Sequence, residues 1–313
     1  MGLRLAAGVV IADLEQLRPE LTGYCYRMLG STFDAEDAVQ ETFMRAWRAA
    51  DGFEGRSELR TWVFSIATNV CLTHLRRAAR RALPMDVGAQ SNDSPILGAP
   101  LSRQAWVEPI PGARVERDPS EQVVERDSIR LAFIAALQLL TPRQRAVLVL
   151  RDVLQWKIRE VAQLLGTTED AVNAVLRRAR TALAAWEPSR TVEQPDRELL
   201  RRYVEAFEGF DIDGLVALLH EEATLSMPPY ALWLRGPDAI GDWFRRSSCQ
   251  DSRLVAVDAN GTAGFGVYRR DGETYRPFAV QIVETDASRI TALHTFIDPA
   301  LFPFFDLPPV KYP

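Results

Sequence analysis

The chain has 313 residues and a net charge of −5, with 47% apolar and 25% charged residues. These values are typical of a folded globular protein and argue against disorder, a collagen-like fold and a membrane protein. No stretch of 18 or more uncharged apolar residues is present, and Leu3 to Ile11 lacks the basic start of a secretory signal, so we expect neither a membrane span nor export. The length predicts two or three domains.

Three cysteines lie far apart, at Cys25, Cys71 and Cys249. This spacing fits neither a disulfide framework nor paired metal ligands. We therefore predict no metal site and no cofactor, and we expect the protein in the reducing cytoplasm.

The first predicted domain covers residues 1–83 and is a helical bundle, because apolar residues recur there at helical spacing. The second of its helices is expected to begin at Asp34 as the N-cap and to bury Val39, Phe43, Ala46 and Trp47. The third is expected to run from about Leu59 to Arg81.

Residues 84–118 contain prolines at short intervals and show no periodicity. This composition is typical of an extended connector, and it predicts a flexible linker.

Residues 119–187 are predicted to contain a helix-turn-helix at about Val153 to Arg180. A short amphipathic helix ends at Gly166, and Thr167 is expected to cap the next helix, which buries Ala171, Val172, Val175 and Ala179. The opposite face of that helix would meet the major groove of DNA. Its residues are Thr168, Glu169, Asn173, Arg177, Arg178 and Arg180. A plain helical hairpin with a solvated basic face is the alternative.

Residues 188–313 carry 13 basic and 19 acidic side chains, so this part has a net charge of −6. Helical patterns at 197–210, 212–220 and 237–246 precede strand-like segments at 253–257, 263–269, 275–283 and 290–297. Asn260-Gly261 and Asp271-Gly272 predict hairpin turns. Helices followed by an antiparallel sheet indicate an α+β domain.

Three segments resemble the sigma-70 superfamily in its small extracytoplasmic-function form: Asp34 to Trp47, Leu59 to Asn69, and Leu139 to Leu183. The resemblance implies an RNA polymerase sigma factor that binds core polymerase and recognises −35 and −10 promoter DNA. It implies that the face of Glu36, Asp37, Gln40 and Glu41 docks on the clamp helices of the largest subunit, and that the second helical domain reaches the flap region. The alternative for this acidic face is a solvated surface.

For the −10 element the resemblance points to Gly55, Arg56, Ser57 and Asn69. Trp62 and Phe64 could stack on bases, but aromatic residues at helical spacing favour a core role. Arg76, Arg77, Arg80 and Arg81 lack intervening acids, which favours contact with backbone phosphates over an ordinary solvated helix end.

The last segment looks like a SnoaL-like domain of the nuclear-transport-factor-2 superfamily, on the motifs Leu200 to Phe207, Leu215 to Leu219, Leu234 to Gly236 and Phe296 to Pro299. The expected fold is therefore multidomain, with two all-α sigma domains and an α+β cone that has a curved antiparallel sheet. The resemblance implies a regulator that contacts the sigma domains. Tyr203, Trp233, Tyr268 and His294 could line a small-molecule pocket in the cone.

Two other functions stay open at this point. One is a ligand-sensing helix-turn-helix regulator that acts without polymerase, and the other is an isomerase or cyclase in which His294 would serve as the base. We expect a sigma factor that is monomeric when free and is not an enzyme. Whether the third domain activates or inhibits is left open by the sequence.

Overall fold

The computed structural model describes residues 13–50, 58–76, 78–91, 97–115, 128–184, 196–247, 249–286 and 288–312. The chain divides into two compact units. The first unit combines residues 1–81 with 113–187, and the second combines 82–112 with 188–313. Within the described residues, no helix has the length and apolar character needed to cross a membrane.

The first unit begins with helices α1 (Arg18–Leu29), α2 (Thr32–Ala49) and α3 (Leu59–Leu75). Gly30 ends α1 at a φ of +69°, a conformation that costs glycine little. The Ser31 hydroxyl begins α2 by accepting a hydrogen bond from the Asp34 amide at 3.1 Å. The predicted N-cap at Asp34 is thus wrong: Asp34 lies in the first turn, where the helix dipole favours its carboxylate.

Helix α3 ends at Leu75 and does not reach Arg81. Ala82 already pairs with an extended segment, because its amide donates to the Ala105 carbonyl at 2.9 Å and its carbonyl accepts from the Val107 amide at 3.1 Å. A residue held in this extended pairing cannot continue the helix, so Arg76, Arg80 and Arg81 do not share one helical face.

The rest of the first unit contains four helices in its described part: α4 (Leu131–Leu137), α5 (Pro142–Leu148), α6 (Ile158–Leu164) and α7 (Glu169–Ala184). A π-helical turn, Val149–Val153, follows α5. Thr141 and Gln144 form the capping box that starts α5, as their side chains bond each other's backbone amides.

The N-terminal and C-terminal helices of the first unit share one core. The Phe64 ring lies 5.3 Å from the Tyr24 ring and 5.0 Å from the Trp156 ring, measured between centroids. Buried Arg145 donates hydrogen bonds to the Met28 carbonyl on α1 and to Gln138 Oε1, the latter at 2.6 Å. Regions far apart in sequence are therefore held together by both apolar and polar contacts.

The second unit contains a six-stranded sheet in the order β2-β1-β6-β5-β4-β3. Its elements are α8 (Arg197–Glu208), α9 (Ile212–Ala217), β1 (Leu219–Ser226), β2 (Trp233–Arg235), α10 (Pro237–Arg246), β3 (Ser252–Ala259), β4 (Thr262–Asp271), β5 (Thr274–Thr285) and β6 (Ile290–Phe296). Both hairpin turns are confirmed, with positive φ at Asn260, Gly261 and Gly272.

The sheet is mixed and not purely antiparallel, since β1 runs parallel to β6. The sequence pattern assigned the start of β1 to a helix ending at His220, whereas α9 ends at Ala217. Helices α8, α9 and α10 cover one face of the sheet and bury Tyr203, Phe207 and Phe244 against Phe265 and Leu293.

Residues 82–91 and 97–112 pack on the sheet of the second unit. The Trp106 indole donates to the Pro229 carbonyl at 3.1 Å, and the Ile110 amide donates to Asn260 Oδ1 at 3.0 Å. Trp106, Val107 and Ile110 are buried. The docked segment differs from the flexible linker that the prolines predict, because these apolar side chains and backbone amides find partners on the domain.

Candidate nucleic-acid interface

Helix α7 separates a buried stripe from an exposed polar face. The predicted outer residues Thr168, Glu169, Asn173, Arg177, Arg178 and Arg180 are all exposed. The buried stripe consists of Val172, Leu176 and Ala179, while Ala171 and Val175 are only half-buried. Leu176, which the sequence reasoning missed, follows Val172 by four residues and so lies on the same face.

The turn before α7 depends on Gly166 and Thr168. Gly166 has a φ of +58°, which a residue with a Cβ atom rarely adopts. The Thr168 hydroxyl accepts a hydrogen bond from the Ala171 amide at 3.2 Å, so Thr168 and not Thr167 caps the helix. The cap fixes the direction of α7 and occupies one acceptor of the hydroxyl.

The cations of α7 differ in what they bind. Arg180 forms two hydrogen bonds with Asp152, at 2.9 and 2.7 Å, and so ties α7 to the π-helical turn. The side chains of Asn173, Arg177 and Arg178, in contrast, make no hydrogen bond or ion pair to any part of the chain that the structure describes. They are available to an external partner.

Several residues predicted for −10 DNA cannot be placed: Gly55, Arg56, Ser57 and Arg77 lie outside the described residues. Asn69 is exposed on α3. Phe64 is completely buried, which confirms the core interpretation, and Trp62 is half-buried.

The remaining arginines of this group divide into two kinds. Arg76 and Arg80 are exposed and suit contact with phosphate. Arg81 is not available in this way, because its side chain is 5% exposed and lies 2.6 Å from Asp34 Oδ2. The predicted phosphate contact of Arg81 is corrected to an internal ion pair.

The acidic face of α2 is only partly free. Asp37 and Gln40 are exposed. Glu36 lies 3.6 Å from Arg18 Nη1 and 3.4 Å from Arg114 Nη1. Glu41 bonds Arg45 at 2.5 Å, and although partial burial acts to raise its pKa, Arg45 and His74 hold that pKa below its ordinary value.

Met44 and Trp47 are exposed by 51% and 60% on α2. The prediction that Trp47 belongs to the core is wrong. Trp47 follows Gln40 by seven residues and Met44 by three, so it continues the exposed face of Asp37 and Gln40. We call these four residues the α2 face.

The structure does not bring the four candidate pocket residues together. Gln281 pairs with Thr295 across β5 and β6, and Tyr203 donates a hydrogen bond to Gln281 on the helix-covered face. His294 precedes Thr295 on β6 and pairs with Ile282. Because successive side chains of a strand point to opposite faces, His294 lies on the face of the sheet opposite to Gln281 and Tyr203.

His294 is held by neighbouring side chains on that face. Its Nδ1 lies 2.8 Å from Ser226 Oγ, and its Nε2 lies 4.0 Å from Glu284 Oε2. Burial holds the pKa of His294 below its ordinary value, and Glu284 opposes this shift. The Tyr268 hydroxyl donates to the Pro308 carbonyl and the Trp233 indole to the Gly88 carbonyl, so both polar tips are engaged.

One cavity between the helices and the sheet is small. It has a volume of about 20 Å³ and is lined by Phe207, Trp243, Gln281 and neighbouring side chains. This volume holds about one water molecule. None of the four candidate residues Tyr203, Trp233, Tyr268 and His294 lines this cavity.

Comparison with known proteins accounts for all three parts of the chain. Residues 14–81 match Sigma-70 region 2, residues 130–183 match Sigma-70 region 4, and residues 200–297 match the SnoaL-like domain. The crystal structure of the Mycobacterium tuberculosis extracytoplasmic function sigma factor SigJ superposes with a TM-score of 0.58 at 22% identity, covering 95% of this chain and all of that one. It shows that the two proteins share a fold.

Relatives in sequence agree with this fold. The ECF RNA polymerase sigma factor SigG of M. tuberculosis (strain ATCC 25618 / H37Rv) is 46% identical over 308 aligned residues, which cover 95% of this chain and 83% of SigG. SigJ of the same strain is 31% identical over 240 residues, covering 74% of this chain and 70% of SigJ. The chain therefore belongs to the extracytoplasmic-function (ECF) RNA polymerase sigma factors, and it carries a C-terminal SnoaL-like domain.

Proposed function

We propose that α7 recognises the −35 promoter element and that α3 with its flanking residues engages the −10 element while the chain is bound to core polymerase in the cytoplasm. The observation that carries this proposal is the exposed face of α7, on which Asn173, Arg177 and Arg178 have no partner within the described residues. Such side chains on a helix after a tight turn suit the major groove.

Five residues on the exposed face of α7 have proposed roles that follow from their chemistry. Asn173 can pair with an adenine edge and Arg177 with a guanine edge, while Glu169 can accept from a cytosine amine. Arg178 suits a backbone phosphate. Arg180 acts through Asp152 by holding α7 in place, so we propose it as a positioning residue.

At the −10 element, exposed Asn69 and the cations Arg76 and Arg80 support the proposal. We assign Asn69 to an unstacked base and the arginines to phosphates. Gly55, Arg56 and Ser57 are included on the family resemblance, and Arg77 is included because no acidic residue lies among the neighbouring arginines.

For polymerase binding we propose the α2 face, which joins apolar Met44 and Trp47 to polar Asp37 and Gln40. An exposed tryptophan beside a polar rim is typical of an energetic centre of a protein interface. The proposed partner is the pair of clamp helices on the largest subunit. Glu36 and Glu41 contribute negative potential, although their carboxylates already bind neighbouring cations. Region 4 is proposed to contact the flap region.

The test of promoter recognition is run-off transcription with purified core polymerase on promoters from the native genome. We expect Arg177→Ala to lower the yield from a cognate promoter by roughly tenfold or more, since a bidentate base contact contributes about 1–3 kcal/mol. Arg202→Ala removes an exposed arginine from the second unit and serves as the matched control. Equal yields from the two variants would contradict the assignment, and no transcript from the unaltered chain would refute the promoter-directed activity itself.

We further propose that the SnoaL-like domain regulates transcription through the docked segment 82–112. This segment lies in the chain between regions 2 and 4 and packs on the sheet through Trp106 and Ile110. Changes in its docking would therefore alter the connection between the two promoter-binding regions. The contact of this domain with the sigma domains stays a prediction.

The run-off assay also tests this regulatory role. Asn260→Ala removes the acceptor for the Ile110 amide and changes no residue of regions 2 or 4. We expect transcript yield to change several-fold, and the direction will show whether docking activates or inhibits. An unchanged yield, with increased protease sensitivity of the segment, would contradict regulation through docking.

A further inference from the structure

A second cavity lies beside the end of β6, between the docked segment 97–112 and the SnoaL-like domain. Its volume is about 220 Å³, and its wall includes Phe296, which follows His294 by two residues and so lies on the same face of the sheet. Seven of its ten lining residues are apolar. Two of these, Leu101 and Trp106, belong to the segment, and the others belong to the domain. The cavity therefore exists only while the segment is docked.

Hydrogen bonds hold the walls of this cavity in place. Trp106 is 2% exposed, and its indole donates to the Pro229 carbonyl at 3.1 Å. The same carbonyl accepts from the Leu101 amide at 2.9 Å. The neighbouring Pro228 carbonyl accepts from the Ile297 amide at 2.8 Å. These bonds fix the aromatic wall before any ligand binds, and they also occupy the carbonyl groups of both prolines.

The charged side chains of the lining are bound within the protein. Arg103 lies 2.6 Å from Asp298 Oδ2 and 3.7 Å from Glu108 Oε1. Asp298 also accepts from the Ala300 amide at 3.0 Å, and Arg103 and Glu108 make further interactions. An ionic ligand would have to displace one of these contacts or lose its hydration without gaining a counter-charge. The lining therefore selects a ligand by shape and apolar contact, and not by charge.

We propose that this cavity binds an uncharged, apolar aromatic molecule of about nine non-hydrogen atoms. The size follows from the volume, because an engineered apolar cavity of about 150 Å³ binds benzene, which has six such atoms. A planar ring suits the walls, since Trp106 and Phe296 offer aromatic rings that can pack against it edge to face or in an offset stack. The binding free energy comes from removing apolar surface of the ligand and of the walls from water.

Binding in this cavity is coupled to docking of the segment. A ligand that needs both walls binds the docked arrangement and not the undocked one, so it stabilises docking increasingly as its concentration rises above its Kd. Under the regulatory role proposed above, such a molecule is an input to the sigma factor. That consequence rests on the proposed role, whereas binding itself does not.

The test uses the full chain labelled with 5-fluorotryptophan, with the Trp106 signal in fluorine NMR assigned from Trp106→Phe. Indene is the apolar probe, and benzimidazole has the same bicyclic frame with two nitrogens that need hydrogen-bond partners. We expect a saturable shift of the Trp106 signal with indene and an affinity for benzimidazole at least about tenfold lower, because the lining offers its nitrogens no free partner. Absence of saturation by indene up to about 2 mM, or equal affinities for the two probes, would overturn the proposal.

Charged molecules of similar size test the selection against ions. Benzylamine is the cationic probe and benzoate is the anionic probe. We expect both to bind more weakly than indene, since neither gains a counter-charge in the cavity. Tighter binding of either ion would overturn the proposal.

A second fluorine signal shows where the probe binds. Trp243 lines the small cavity of the cone interior and does not line the cavity beside β6. Its signal is assigned from Trp243→Phe. We expect this signal to stay in place at indene concentrations that saturate the shift of Trp106. A saturable shift of Trp243 without one of Trp106 would assign the probe to the cone interior and contradict the proposal.

A matched pair of variants tests the cavity itself. Leu101→Trp places a larger side chain in the wall, and because Leu101 is 43% exposed and contributes its backbone amide to the hydrogen bond with Pro229, the variant should still fold. We expect its affinity for indene to fall by at least about tenfold, since the space is already filled. Leu97→Trp is the control, because Leu97 is 39% exposed on the same segment and does not line the cavity. Equal affinities of the two variants would refute the site. These measurements use no polymerase, so their failure is distinct from failure of the proposed transcription function.

Discussion

Arg145 is the buried cation that joins α5 to α1, and its replacement by methionine tests how regions 2 and 4 are held together. The residue is 4% exposed. It donates to the Met28 carbonyl, to Gln138 Oε1 at 2.6 Å and to the Leu140 carbonyl at 3.3 Å. Methionine fills a similar volume, but it leaves all three acceptors without this donor.

Two opposing effects set the size of the change. Each hydrogen bond from a charged donor contributes about 1.5–3 kcal/mol. Against this, burial lowers the pKa of Arg145 to about 10, and a shift of this size corresponds to an unfavourable contribution of about 3 kcal/mol for the charged form. The hydrogen bonds exceed the desolvation cost, so we expect Arg145→Met to lower the free energy of unfolding by about 2–4 kcal/mol.

Urea denaturation of the full chain measures this loss. The two units need not unfold together, so the transition of the first unit is followed through Trp156, which lies in its core. Arg143→Met is the control, because Arg143 is exposed on the same helix, and a surface change of this kind costs less than about 0.5 kcal/mol. If Arg145→Met shifts the midpoint no more than Arg143→Met, the hydrogen bonds of the buried arginine do not stabilise the first unit.

Three further outcomes are expected. Trp47→Ala should weaken binding to core polymerase by about 1–3 kcal/mol in a fluorescence titration, as expected for an exposed interface anchor. Arg48→Ala on the same helix should change the affinity little. Equal losses in the two variants would contradict the proposed binding of polymerase by the α2 face. Asp34→Asn should cost about 1–2 kcal/mol of stability by breaking the Arg81 pair, and a loss no larger than that of exposed Asp37→Asn would show that the pair is unimportant. His294 has its pKa lowered by burial, so the unfolded state takes up a proton first as the pH falls below about 6.5, and stability should drop by up to about 1.4 kcal/mol per pH unit. His294→Gln should flatten that dependence, and identical slopes in the two proteins would contradict the assignment.

Local patterns in the sequence predicted the local structure well. The exposed face of α7 follows from a helical period, and the turns at Asn260-Gly261 and Gly272 follow from residues that adopt positive φ. These features depend on neighbours within a few residues, so a single sequence contains the information needed for them.

Contacts between distant segments were beyond the same reasoning. β1 pairs in parallel with β6, some seventy residues away, and no short pattern indicates which strand will be its neighbour. His294 and Tyr203 were grouped by residue type, yet one step along β6 decides which face a side chain occupies. Trp47 was assigned to the core because it continues the helical spacing of apolar residues on α2, although its position also places it with exposed Gln40 and Met44.

The docking of residues 82–112 makes the SnoaL-like fold a discontinuous domain. The chain enters it at Ala82, leaves after Gly112, and returns at Pro188. A stop codon near Trp186 would therefore divide this domain and not remove it, since Trp106, Val107 and Ile110 would lose the surface that buries them. A truncation that removes the whole domain must also replace residues 82–112 with a polar sequence of equal length. Otherwise the effect measured is that of a newly exposed apolar segment and not that of losing the regulatory domain.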